Sequence, residues 1–428
     1  MSHTLTGRLI APSIHQALRA KFAYLERDMD GSRRLFFDNS GGSLRLIEAI
    51  MAKNDIDLLP DCPEREHERA RMLQDIMAKG QDDILRIMLN APSGSLLTEL
   101  TASQVMFQMM GTIVENVAGT NVVTSNIEHP SAYDAAAYYC AKTGKTLRVA
   151  EANAEGFVSV ESILDLIDED TTLLSIIASS NISGNIMDLA TIVAKAREKK
   201  PGLFIISDAV QHLPHGTIDL SAIPLDGLNF APYKFMASRG IGFGYVSDRV
   251  SALPHHKLLA RPDEAWGLGT PTASLFHSMS QVFAYVDWLG ASVDATATTA
   301  RARYLAGMEA IELHERALLH RLLNGSDAIV GLRQMAGVNV YVDAAPLNQR
   351  DLIVAMGIEG WDFDALRAEY QRCGVTVYER VNTSIYSKRI VEALGLSGAI
   401  RVSPMHCHHV DEIDQFLRIT QEIALRGQ

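Results

Sequence analysis

Three polar residues stand at the edges of strongly apolar runs: His129 in "IEHPSAYDA", Asp208 after "LFIIS", and Lys234 in "LNFAPYKFMASRGIGFGYV". An ammonium group in so apolar a stretch is costly unless it is paired, neutralised or used covalently. An amine released from a covalent bond can also act as a base on a nearby carbon. A carboxylate at Asp208 either caps the segment that follows or binds a basic nitrogen. Taken alone, His129 is an ordinary loop histidine, and Lys234 a surface lysine with a buried stem. Their order along the chain is what suggests shared chemistry.

The elements that must hold them alternate. Strand-like runs at 94–100, 121–126, 146–152, 171–180, 202–210, 227–232 and 240–247 are separated by helical patterns at 101–117, 131–144, 160–168 and 188–200. Earlier come a helix over 12–28, a short strand breaking into a turn at 34–42, and helical spacing over 64–90. This alternation predicts a mainly parallel sheet covered on both faces. A long helix over 297–324, strands in "VNVYVDA" and "VTVYER", and a helix over 410–425 complete the chain, with a domain boundary expected near 288–297. Ligands of parallel α/β sheets gather beyond the carboxyl ends of the strands. Asn39, Ser103, His129, Asn181, Asp208, Gln211 and Lys234 all fall at such places.

Composition narrows the classes. The 428 residues are 47% hydrophobic and 21% charged, which suits a large folded domain plus a smaller one. A net charge of −12 argues against a nucleic-acid partner. The four cysteines are scattered, there is no apolar run of spanning length and no signal-like N-terminus, so a cytoplasmic protein without a membrane partner is expected. No G-x-G-x-x-G joins a first strand to a helix, which argues against a dehydrogenase.

In sequence order, "FFDNSGG", "SDAVQ", "YKFMASRGIGFGYV", "LGTP" and "IRVSP" resemble the fold-type I pyridoxal-phosphate (PLP) enzymes of the class V aminotransferase and cysteine desulfurase superfamily. The likeness runs from "FFDNSGG" to "RVSPMHCHHVDEIDQFL". It implies the α/β PLP-transferase fold. A mainly parallel seven-stranded sheet would lie between helices in a large domain at 35–290. A smaller α+β domain would span 291–428, joined by the N-terminal segment 1–34. It also implies pyridoxal 5'-phosphate as cofactor, with Lys234 as the covalent anchor, Asp208 on the pyridine nitrogen, Gln211 at the phenolic oxygen and His129 stacked on the ring. Asn181 would support the phenolic oxygen or the substrate carboxylate, and Arg401 would bind the α-carboxylate through its planar fork. Asn39 and Gly41 would border the substrate. Ser103, with the backbone of Thr101 and Ala102, would form the phosphate cup at a helix N-terminus. Thr270 in "GLGTPTA" would come from the neighbouring subunit, making a homodimer with shared sites.

The pattern departs from the family in three places. Tyr233 stands where the desulfurase branch usually has histidine; it remains a candidate cofactor contact. Ala231 replaces a serine that often binds phosphate. The stretch 378–400 contains no cysteine where desulfurases carry their nucleophile; Cys373 precedes it and Cys407 follows the arginine. Amino transfer between small amino acids and keto acids is therefore the expected reaction, with a C–S β-elimination lyase and an amino-acid epimerase as alternatives. "MHCHHVDE" has a metal-binding look but no second ligand cluster, and no metal is expected. "GIGFG" is expected to be a strand where one backbone closely approaches another.

Overall fold

A computed structural model describes residues 5–427 apart from 154 and 263; residues 1–4 of the N-terminal segment lie outside the described residues. Seven strands form the main sheet: β2 (Ser95–Glu99), β3 (Asn121–Ser125), β4 (Thr146–Ala150), β5 (Thr171–Ile177), β6 (Phe204–Asp208), β7 (Gly227–Phe230) and β8 (Gly242–Val246). Their spatial order is β2-β8-β7-β6-β5-β3-β4, and β8 alone runs against its neighbours. Strands β3, β5, β6, β7 and β8 are buried along their whole length. That is why they read as continuous apolar runs and not as alternating ones.

Helix Ala102–Asn116 packs its Val105, Met109 and Ile113 against Leu97, Val122 and Ile206 of the sheet. It can do so because β8 carries glycines beneath it. A Cβ at Gly242 would come 2.2 Å from the amide nitrogen of Ala102, and one at Gly244 would come 2.4 Å from Val105 Cγ1. The expected close backbone approach at "GIGFG" is therefore present. It sets where the helix begins.

After a short antiparallel pair, β9 (Gly325–Ser326) with β10 (Ile329–Val330), the smaller unit is an antiparallel sheet of four strands in the order β11 (Val338–Tyr341), β12 (Val354–Ile358), β15 (Gly398–Val402), β14 (Tyr378–Val381). Helices Phe363–Arg372 and Val410–Arg426 accompany it, and the two share a core that includes Leu366, Ile400, Phe416 and Leu417. The residues just after the N-terminal segment meet this unit: β1 (Leu35–Phe36) pairs in parallel with β13 (Val375–Thr376). Beyond it, Phe37 O accepts from Ser403 N–H at 2.7 Å. No described helix is long and apolar enough to cross a membrane.

Several elements differ from expectation. The first helix ends at Arg19, not at 28, because Phe22 bridges to Leu46 and Tyr24 takes a positive φ of 53°. Helical structure over 64–90 begins at Glu68 and widens into a π-helix over Asp83–Met88. "VTVYER" is divided between two sheets as β13 and β14. Helices Ile47–Asp57 and Ala273–Val293 and strand β12 are additional. In "MHCHHVDE", His406 Nε2 meets the Tyr285 hydroxyl at 2.8 Å, His408 Nδ1 accepts from Met405 N–H at 3.0 Å, and His409 caps the last helix. These imidazoles hold the loop together.

Candidate active site

A cavity of about 190 Å³ is lined by Thr101, Ala102, Ser103, His129, Asn181, Asp208, Gln211, Tyr233 and Lys234. Each arrives from a strand end or the turn after it. Asp208 is the last residue of β6, Asn181 follows β5, and Lys234 ends the 3₁₀ turn Pro232–Lys234 after β7. Thr101 is the N-cap of helix Ala102–Asn116, its hydroxyl oxygen accepting from Gln104 N–H at 3.2 Å. The first turn of that helix thus borders the cavity, with its dipole favouring an anion there.

The electrostatics at the other end suit a basic ring nitrogen. Asp208 is buried and accepts from Val210 N–H at 3.1 Å. Burial pushes its carboxyl pKa up, against the pull of the Lys234 charge. Lys234 Nζ donates to Gln211 Oε1 at 3.3 Å. Burial, then the charges of Arg401 and Arg380, lower its amine to about 7. His129 Nδ1 accepts from Ser131 N–H at 3.2 Å, and burial plus the Lys234 charge bring the ring to about 3. It is a neutral, flat wall at physiological pH.

Four sequence candidates lie elsewhere. Arg401, in β15, is fully buried; it donates to the Asn181 carbonyl at 3.1 Å and to Asp38 Oδ1 at 2.7 Å. Its charge reaches Lys234 although it does not line the cavity. Asn39 is fully engaged in its own loop: Nδ2 donates to Phe36 O at 3.0 Å and Ser403 O at 2.9 Å, while Oδ1 accepts from Leu44 N–H at 3.0 Å. Gly41 leaves room for Asp38, whose Oδ2 would lie 2.6 Å from a Cβ there. Thr270 lies in a separate surface cleft with Thr98, Glu99 and Gly240.

The structure adds residues that the sequence reading left unassigned. Asp38 partners Arg401. Arg380 shares the face of Arg401, because Tyr378 pairs with Arg401 in the β14–β15 register and Arg380 follows two residues along. Arg239 joins the cavity wall. Asp38 was visible within "FFDNSGG" and Arg239 within "YKFMASRGIGFGYV", each without an assigned role; Arg380 had no local signal.

A cofactor with a basic ring nitrogen, an aldehyde and a phosphate matches this donor set. It offers a partner to buried Asp208 and a covalent use for Lys234. It also suits the open helix N-terminus as an anion site. The aminotransferase class-V family model matches residues 36–416, and the chain belongs to that family of PLP-dependent enzymes. It is similar to the cysteine desulfurase of Enterobacter sp. (strain 638), 26% identical over 329 residues that span 72% of this chain and 76% of that protein. A probable cysteine desulfurase of Synechocystis sp. is 23% identical over 96% of both chains. Among solved structures, a cysteine desulfurase from Thermococcus onnurineus NA1 shares the fold with a TM-score of 0.79 at 18% identity, covering 98% of this chain and 100% of that one. Cysteine desulfurase CsdA from Escherichia coli superposes with a TM-score of 0.76 at 17% identity over 98% and 99% of the two chains.

Proposed function

We propose that this protein removes the Cα proton of a small amino acid and transfers its amino group to a keto acid. The carrying observation is an amine, Lys234, brought to about 7 inside a cavity that no cysteine lines. When bound, PLP supplies an electron sink for the carbanion. Asp208 would hold a proton on the ring nitrogen, since its negative charge favours the protonated ring. His129, neutral, would pack against the ring face. Arg401, steadied by Asp38 and the Asn181 carbonyl, would orient the α-carboxylate so that the Cα proton faces Lys234 Nζ. Lys234 would take that proton and keep it in the cavity for return.

The four thiols are poorly placed for sulfur transfer. Burial pushes Cys407 well above its ordinary value and Cys140 to about 11. Cys373 caps helix Phe363–Arg372, and the Cys62 thiol donates to Glu64 in an exposed segment. Persulfide chemistry needs an accessible thiolate near the substrate sulfur. The names of the relatives nevertheless favour a second reading, a C–S lyase that eliminates without a cysteine. We place the enzyme in the cytoplasm, acting on small amino acids and keto acids.

A panel of amino acids, with the cofactor absorbance followed, separates the two. Amino transfer converts the cofactor to its amine form when the donor is given alone, and a keto acid reverses the change. Sustained release of keto acid and ammonia, with no amine form accumulating, would establish the lyase instead.

A further inference from the structure

The phosphate end of the cavity lacks a side chain that its relatives commonly provide, since Ala231 has no hydroxyl. It has a cation in compensation. We propose that Arg239, backed by Arg45, is the charge partner of the cofactor's phosphate, an inference that rests on the PLP reading above. Arg239 lines the same cavity as Thr101, Ala102 and Ser103 at the start of helix Ala102–Asn116. Its guanidinium lies 3.9 Å from the centre of the Tyr233 ring, which fixes its direction. Arg45 donates to the carbonyl oxygens of Ser43 and Tyr233. The two guanidinium groups converge over Gly42: a Cβ there would meet Arg239 Nη2 at 2.9 Å and Arg45 Nη2 at 3.8 Å.

Among the described residues neither arginine has a carboxylate partner. Burial, then the charge of Arg239, pull the Arg45 guanidinium down to about 10. Two like charges drawn together with no acid between them are relieved by an anion. A phosphate dianion at the helix N-terminus is such an anion, and a guanidinium fork matches its oxygens bidentately. Tyr233, where the desulfurase branch has histidine, then acts as the platform that aims Arg239 and need not contact the phosphate itself.

The test compares PLP with pyridoxal, which has the aldehyde and ring but no phosphate, on cofactor-stripped full-length protein. Arg239→Gln is expected to weaken PLP binding roughly ten- to a hundredfold, the range for one charge-assisted hydrogen-bonding group, and to leave pyridoxal affinity unchanged. Arg45→Gln should act in the same direction more weakly. Arg239→Lys, which keeps the charge, should restore most of the preference for PLP, a rescue that a folding defect would not show. Equal losses for both compounds, or no loss for either, would overturn the proposal while leaving the PLP reading in place. A change confined to discrimination among acidic amino acids would also overturn it, by moving the arginines to the substrate. Wild-type protein that takes up no PLP would sink both readings together.

Discussion

The Lys234 amine, lowered to about 7 by burial and the charges of two arginines, has a chemistry that is directly testable. Borohydride reduction of the purified protein followed by peptide mapping should place the pyridoxyl group on Lys234; a label on another lysine would refute the assignment. Asp208 was legible from the end of its buried strand, whereas His129, the N-cap of the helix after β3, became so only through its order with the other two. Glu128 was not. It is fully buried; Ser125 Oγ donates to its Oε1 at 2.6 Å and Ile177 N–H at 2.9 Å, while Oε2 has no partner. Burial raises its carboxyl from 4.5 to about 8. The folded protein therefore binds a proton here that the unfolded chain has released. This group's contribution to stability is complete below about pH 4.5 and is lost as pH rises towards 8, at about 1.4 kcal/mol per pH unit in between. Glu128→Gln should flatten that part of the stability profile, measured by denaturant titration at pH 5, 6, 7 and 8. An unchanged slope would show that Glu128 is ionised in the fold.

At the level of elements, helix Ala300–Asn324 is held to both halves of the molecule through Glu315. Its Oε2 meets His215 Nδ1 at 2.7 Å and its Oε1 accepts from His406 N–H at 2.9 Å. Burial works against both charges, yet mutual attraction lifts His215 to about 9 and holds Glu315 to about 2. The histidine's contribution is full below its unfolded value near 6.5 and fades as pH rises through about 9. The carboxylate's is present above 4.5 and fades as pH falls through about 2. Glu315→Gln should cost about 3 kcal/mol or more at pH 7, because it leaves a buried partner uncompensated; a loss below about 1 kcal/mol by denaturant titration would mean the pair is solvated. The sheet strands themselves were readable, since burial on both faces leaves an unbroken apolar run. Strand β12 and helix Ala273–Val293 were not. "VAMGI" carries Ala, Met and Gly between its β-branched ends, and the helix is apolar on most sides, so no amphipathic stripe marks it. Arg380 was illegible because it meets the site through cross-strand register, and Arg239, though inside a quoted motif, had no assigned role because a ring contact orients it.

At the scale of the whole molecule, we propose a two-fold pair in which Thr270 serves the neighbouring subunit's site. Its cleft stands apart from the cavity of its own chain, and Leu268 beside it is 61% exposed. Sedimentation should show a homodimer, and dilution below its dissociation constant should release cofactor and activity together; a fully active monomer would exclude a shared site. A different consequence follows from the order in which the parts are made. Every residue lining the cofactor cavity lies between Thr101 and Arg239, whereas Arg401 and β13, the partner of β1, are translated much later. Domains fold largely in the order in which they leave the ribosome. The growing chain thus lays down its own share of the cofactor pocket before Arg401 exists, so a chain interrupted between the two units would carry the lining residues without the arginine proposed to hold the substrate.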